Sequence, residues 1–386
     1  MKEGWQRKQI GDLCEVIAGQ SPEGKFYNVE GKGMAFYQGK KDFGEKFIEA
    51  PTTWTTQTTK VAIEGDILMS VRAPVGPVNF ATDEVCIGRG LAAIRSSREL
   101  NRDFLFYQLL HLQPDIAGKE GAVFASINKS EIEALPLAFA PLPEQQRIVG
   151  ILDEAFEGIA AAEANAEKNL QNARAIFEGY LQSVLSSKKW KWKTLGDLCD
   201  GVEYGTAAKS KKEGKVPVLR MGNIQDGKLD WEGLAYTDDK DEIKKYLLKH
   251  NDVLFNRTNS PELVGKTAIY KSEMPAIFAG YLIRINRKED LLDGDFLNYF
   301  LNSQIALDYG KTVVTSSVNQ ANINGTKLKG YPIPAPSISE QRIIVQTLDG
   351  LQKGTRRLAN LYERKLATLE ALKKSLLHQA FTGGQL

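Results

Sequence analysis

The chain has 386 residues, enough for two or three domains, and its 42% hydrophobic and 25% charged content is ordinary for a soluble globular protein. With 50 Lys and Arg against 48 Asp and Glu, total charge makes no case for nucleic-acid binding, so any such case must come from local patches. Cys14, Cys86 and Cys199 are too few and scattered for a disulfide frame or a zinc site, and neither a signal peptide nor a membrane-length apolar run occurs, so a cytoplasmic protein without a membrane partner is expected.

In chain order, Lys8-Gln9-Ile10-Gly11-Asp12-Leu13-Cys14-Glu15 comes first, preceded by Trp5. Short apolar runs at 61–71 and 85–94, bounded by Gly and Asp, read as strands. Residues 100–112 have helical spacing, and Ser126-Ile127-Asn128 precedes Pro136. From Pro143 to Ser186-Ser187 apolar or small residues then recur in steps of three and four, the spacing that keeps one stripe on one helix face. About 44 residues at about 1.5 Å rise predict a rod of roughly 65 Å, whose stripe needs a partner.

The pattern then starts again. Lys193-Thr194-Leu195-Gly196-Asp197-Leu198-Cys199-Asp200 repeats the opening motif, and Asn251-Asp252-Val253-Leu254-Phe255 answers Gly65-Asp66-Ile67-Leu68-Met69. Strands are expected at 216–221, 252–255 and 276–285, and one helix at 294–307. Asn322-Ile323-Asn324 with Pro332 answers the earlier Ile-Asn and Pro. A second long periodic run follows Glu340-Gln341 and stops at Gly383-Gly384. The order predicts a duplicated chain: α/β unit 1–142, helix 143–187, α/β unit 188–335, helix 336–386. The two helices are expected to pair within the chain as an antiparallel coiled coil. Their seam would comprise Ile148, Leu152, Ile159, Leu170 and Phe177 with Ile344, Leu348, Leu351, Leu358 and Leu369. Opposite charge supports the pairing: 143–187 hold 3 basic and 7 acidic residues, 335–386 hold 8 and 4.

Chemistry-bearing constellations are missing from the sequence. His111, His250 and His378 lie far apart along the chain, and no dinucleotide, Walker or nucleophile-elbow sequence occurs. Neither catalytic residues, a metal site nor a cofactor is expected. Cys14 and Cys199 read as small buried hydrophobes.

The arrangement resembles the specificity subunit of type I restriction–modification enzymes. The resemblance rests on Pro-Leu-Pro-Glu-Gln-Gln-Arg-Ile-Val (141–149), Glu-Gln-Arg-Ile-Ile-Val (340–345), Gly-Asp-Ile-Leu (65–68) and Ala380-Phe381-Thr382-Gly383, and it covers nearly the whole chain. Ser337 and Ser339 stand in the second helix motif where the first has Pro141 and Pro143. The resemblance implies a non-catalytic protein with two target-recognition domains, each reading half of a bipartite site in double-stranded DNA. It also implies helices that act as a spacer and dock two modification (methyltransferase) subunits, with restriction subunits joining the assembly.

Base-reading residues are then expected in polar loops that differ between the units. In the first unit these are Lys25, Tyr27, Asn28, Tyr37, Gln38, Lys40, Lys41 and Arg72. In the second they are Lys209, Lys211, Lys212, Arg220, Asn223, Arg257, Asn259, Lys311, Thr312, Ser316, Ser317 and Asn319. Arg and Lys suit guanine, Asn and Gln suit adenine, and lysine clusters suit phosphates. Arg72 and Arg257 are expected at matching places. The rival reading is a coiled-coil adaptor with protein-binding units. The 23 basic and 19 acidic residues of 188–334 weigh against it, while the 16 and 18 of 1–142 do not.

Overall fold

Strand Ile67–Ser70 is buried at every position, which demands a partner on both faces. The computed structural model describes residues 4–117, 126–317 and 320–382. In it this strand lies inside a four-stranded antiparallel sheet, in the order Cys14–Ala18, Leu91–Ser96, Ile67–Ser70, Val78–Phe80. One face carries Val16, Met69, Ile94 and the helix Arg102–Ala117; the other carries Leu68, Ala93 and a second sheet in which Met34–Tyr37 runs parallel to Val85–Ile87.

The same plan recurs. Cys199–Tyr204, Leu282–Arg287, Val253–Asn256 and Thr267–Ile269 form the second antiparallel sheet, and Val216–Leu219 pairs in parallel with Ile277–Phe278. The opening motif and the distant proline also have a shared role. Gln6–Gln9 pairs with Pro136–Phe139, and Trp192–Thr194 with Pro332–Pro334. The Gly-Asp step after each first strand is a one-turn helix start. Asp12 accepts from the Gln9 amide at 2.8 Å and Asp197 from the Thr194 amide at 2.9 Å.

The single helix expected at 294–307 is instead two, Gly294–Leu301 and Gln304–Val313. Asn302 leaves the helix because its side-chain amide exchanges hydrogen bonds with the Thr267 backbone, accepting at 3.2 Å and donating at 3.0 Å. Ser303 then caps the next helix, its hydroxyl accepting from the Ala306 amide.

The long helices span Leu142–Leu185 and Ile338–Thr382. In the first, Gln145, Leu152, Ile159, Ala166 and Ala173, each seven residues from the last, are all buried. That strict heptad keeps a seam facing one partner. Among the expected seam residues Ile148, Leu152, Ile159, Ile344 and Leu348 are buried, and Leu170, Phe177, Leu351 and Leu369 are half-buried. Leu358 is not in the seam; it is 42% exposed. The heptad of the second helix runs through Leu348, Thr355, Tyr362 and Leu369 with Ala359 beside it, and Leu358 lies about 100° round the helix from Ala359. Lys373 meets Glu163 at 2.6 Å and Arg174 meets Glu363 at 3.0 Å, so the helices run antiparallel. No helix among the described residues is long and apolar enough to cross a membrane.

The chain divides into two compact units, residues 1–167 with 364–386 and residues 168–363. Each contains one α/β body and one half of the helix pair. In the first, Ile148 and Leu152 share a core with Leu377 and Ala380; in the second, Leu181 and Leu185 share one with Ile344, Val345 and Leu348.

Two motif residues fasten each body to its helix. Gln145 is fully buried, accepting from the Asn101 amide at 2.7 Å and donating to the carbonyls of Glu99 at 3.0 Å and Ala140 at 2.8 Å. Gln341 does the same with the Asp293 amide at 2.8 Å and the carbonyls of Leu291 at 2.8 Å and Pro336 at 2.9 Å. Only a carboxamide offers an acceptor and two donors there; the carboxylate of glutamate could not donate. About two turns further along each helix, the Tyr107 hydroxyl donates to Asp153 and the Tyr299 hydroxyl to Asp349, both at 2.6 Å. Burial first, and then the carboxylate, raises both phenol pKa values, so the hydroxyls stay protonated donors.

Candidate nucleic-acid interface

In the first unit the expected loop residues divide into free and committed groups. Gln38, Lys40 and Arg72 are exposed. Lys25 is exposed beside Glu23 at 2.6 Å, and Lys41 donates to the Thr52 hydroxyl at 3.1 Å. Asn28 is spent on its own turn: its amide donates to the Lys32 carbonyl at 2.8 Å, and its oxygen accepts from the amides of Glu30 and Lys32. The Tyr27 ring stacks on Phe36 at 4.8 Å and its hydroxyl donates to the Pro22 carbonyl. Tyr37 is no surface residue. It is 2% exposed and donates to the Glu49 carbonyl at 2.7 Å, and burial, with Asp42 and Asp83 nearby, pushes its pKa up to about 12.

In the second unit Lys209, Lys212 and Arg220 are exposed, Lys211 pairs with Asp238 at 3.2 Å, and the Arg220 guanidinium donates to the Gly233 carbonyl at 2.7 Å. Asn223 belongs to the scaffold. It is 4% exposed, accepts from the Arg220 amide, and donates to the carbonyls of Asp230 and Glu232. Lys311 pairs with Asp308 at 2.8 Å, and the Thr312 hydroxyl donates to the Tyr309 carbonyl at 2.7 Å. Asn319 lies outside the described residues.

The structure gathers two separated candidate stretches into one place. Thr258–Asn259, Gln320–Asn322 and Thr315–Ser317 form a three-stranded sheet, so Asn259 and the strand holding Ser316 and Ser317 lie in one layer. Asn259 uses its oxygen to accept from the Ser260 amide. The Asn322 amide donates to the Thr258 hydroxyl at 2.7 Å, and Lys327 donates to Thr315. Asn322 and Lys327 were not expected here. Their one signal in the sequence is the Ile-Asn repeat they flank, which reads as scaffold.

Arg72 and Arg257 do not match. The Arg257 amide donates to the Tyr281 carbonyl and its carbonyl accepts from Ile323; in the first unit those bonds belong to Val71, with Gly90 and Ile127. Arg72 corresponds to Thr258, each bridged to the stretch before the Ile-Asn motif. The two runs correspond without insertion, Ser70-Val71-Arg72 against Asn256-Arg257-Thr258, so the two arginines stand one position apart.

The three cysteines are not set up as nucleophiles. Cys86 and Cys199 are buried, and burial pushes the Cys14 thiol up to about 12, so it is no thiolate at neutral pH. The rings of His111 and His378, distant in sequence, come to 5.7 Å, with Phe381 5.9 Å from His111.

The duplicated bodies, each fastened through a Glu-Gln helix, match a family model for the type I restriction modification DNA specificity domain at residues 2–171 and 187–369. The chain belongs to that family. It is 38% identical over 176 residues to a putative type I restriction enzyme MjaX specificity subunit of Methanocaldococcus jannaschii, covering 45% of this chain and 41% of that protein. It is 25% identical over 280 residues to the StySPI specificity subunit of Salmonella potsdam, covering 68% and 60%. The chain thus spans about half the length of the curated family members it matches. In fold it resembles, at TM-score 0.80 and 19% identity, a chain solved in work on complex assembly and conformational transition of the type I R-M system, covering 100% and 99% of the two chains. It also resembles the HsdS subunit of Thermoanaerobacter tengcongensis at TM-score 0.62 and 18% identity, covering 100% and 98%.

Proposed function

We propose that this chain is the specificity subunit of a type I restriction–modification enzyme and reads an asymmetric bipartite site in double-stranded DNA. Domains 1–142 and 188–335 each take one half-site. The helical regions 143–187 and 336–386 space them and dock two modification subunits, which restriction subunits join. The chain itself carries no catalytic residues, binds no cofactor and works in the cytoplasm. One observation carries this reading: the same scaffold occurs twice with unlike loops, which suits two different half-sites on one duplex. The exposed Gln38 can discriminate a base pair, while Lys40 and Lys41 can hold phosphates.

The test is methyl transfer to DNA by the full chain alone and with the modification subunits of its own system, followed by mapping of the methylated sites. Transfer is expected only from the complex, at one asymmetric bipartite motif. Exchanging residues 19–41 for the corresponding loop of another family member should change one half-site and leave the other. Transfer by the chain alone, a palindromic motif, or a complex that methylates no defined site overturns the proposal; the last outcome favours the adaptor reading.

A further inference from the structure

The second unit holds an aromatic–cation platform for which the first has no counterpart. Tyr204 ends the edge strand of its sheet opposite Ile283, in the place that Ala18 takes opposite Ala92. Arg257 makes the backbone bonds that Val71 makes in the first unit. Gly325 starts the short helix after Asn324, where Lys129 starts the one after Asn128. The three residues interlock. The Arg257 guanidinium carbon lies 4.9 Å from the centre of the Tyr204 ring, and Nη1 donates to the Gly280 carbonyl at 3.1 Å. The Gly325 amide donates to the Tyr204 hydroxyl at 2.7 Å. A Cβ on residue 325 would stand 2.8 Å from a Val202 methyl and 3.1 Å from that hydroxyl, so a side chain there would displace the ring.

Scaffold need does not explain this trio, since the first unit builds the same sheet with Ala18, Val71 and Lys129. It also costs stability. Nε of Arg257 is buried with no hydrogen-bond partner among the described residues. Yet the platform stays open to solvent, with Tyr204 42% exposed and Tyr281, beside Gly280, 51% exposed. The Tyr204 ring and the Gly280 carbonyl hold the guanidinium, and Nη2 makes no hydrogen bond among the described residues, so Nη2 and the second Nη1 hydrogen can meet a pair of acceptors together. A planar fork can meet either a phosphate or the N7 and O6 edge of guanine, but a phosphate can turn its oxygens toward the fork, whereas a base edge lies at an angle fixed by the duplex and rewards a guanidinium held in place beforehand.

Resting on the DNA-reading function above, we infer that Arg257, positioned by Tyr204, reads a guanine in the half-site of the second unit. The test is selection of bound duplexes from a pool randomised across both half-sites, using the full chain with its modification subunits. Wild type, Arg257→Gln, Arg257→Lys and Tyr204→Leu are compared, with thermal unfolding checked for each. In wild type one position of the second half-site should be guanine. Arg257→Gln should lose about tenfold or more of the preference there and keep every other position. Arg257→Lys should retain overall binding without restoring the preference, and Tyr204→Leu should blunt it at that same position. An even loss of binding to all sequences by Arg257→Gln makes the residue a phosphate contact and overturns the inference. An unchanged motif, or a motif altered only in variants that unfold, overturns it as well. If wild type selects no motif, the DNA-reading function itself fails, a result distinct from all of these.

Discussion

Replacing Gln145 by Leu removes a side-chain amide of similar length from a fully buried site, so the change is mainly in hydrogen bonding. It orphans one donor, the Asn101 amide, and two acceptors, the carbonyls of Glu99 and Ala140. Each buried unsatisfied group costs about 1–3 kcal/mol, and relaxation of the loop favours the low end, giving about 3 kcal/mol in all. For a unit of this size that corresponds to a fall in Tm of roughly 6–12 °C. Calorimetry measures the shift, and amide hydrogen exchange localises it: Asn101 should lose protection while strand Ile67–Ser70 keeps it. Gln341→Leu should behave alike, with Asp293 as the reporting amide. A shift below about 2 °C with Asn101 still protected would show that the glutamine does not fasten the body to its helix.

Ile159→Asp places a charge in the heptad seam and should destabilise the chain by about 3 kcal/mol or more, whereas Leu358→Asp should change stability by under about 0.5 kcal/mol; chemical denaturation of both checks the seam. Burial first, then the neighbouring His378, lowers the His111 pKa, against Asp115 which raises it. Its folded value lies below the unfolded one, so this contribution is present above about pH 6.5 and is lost as pH falls through the folded value. Stability measured against pH should therefore drop over that window, and His111→Phe should flatten the drop. Lys46 reaches Asp103 at 3.1 Å and Asp153 at 3.3 Å, joining a loop of the first unit to two helices, so Lys46→Met should lower stability by about 1 kcal/mol, less in high salt.

The duplication and the antiparallel helix pair were legible in the sequence because periodicity and repeated motifs report which face a residue must bury. Gln145, Asp153 and their repeats could be seen as motif but not as chemistry, since the Asn101 amide and the helical Tyr107 that meet them lie about 45 residues away. Leu358 was misplaced because a stripe read one residue out of register still shows steps of three and four. Tyr37 and Asn223 have the polar atoms of surface readers, and only the fold shows those atoms spent on backbone groups inside the protein. Tyr204 ends a strand that any sequence reading assigns to scaffold, and Arg257 matches Arg72 by motif although Val71 takes its place in the ladder. Periodic burial is a property of neighbours along the chain and so survives in the sequence. The partner of a polar side chain is set by backbone brought together from distant segments, and that was decided by the tertiary structure alone.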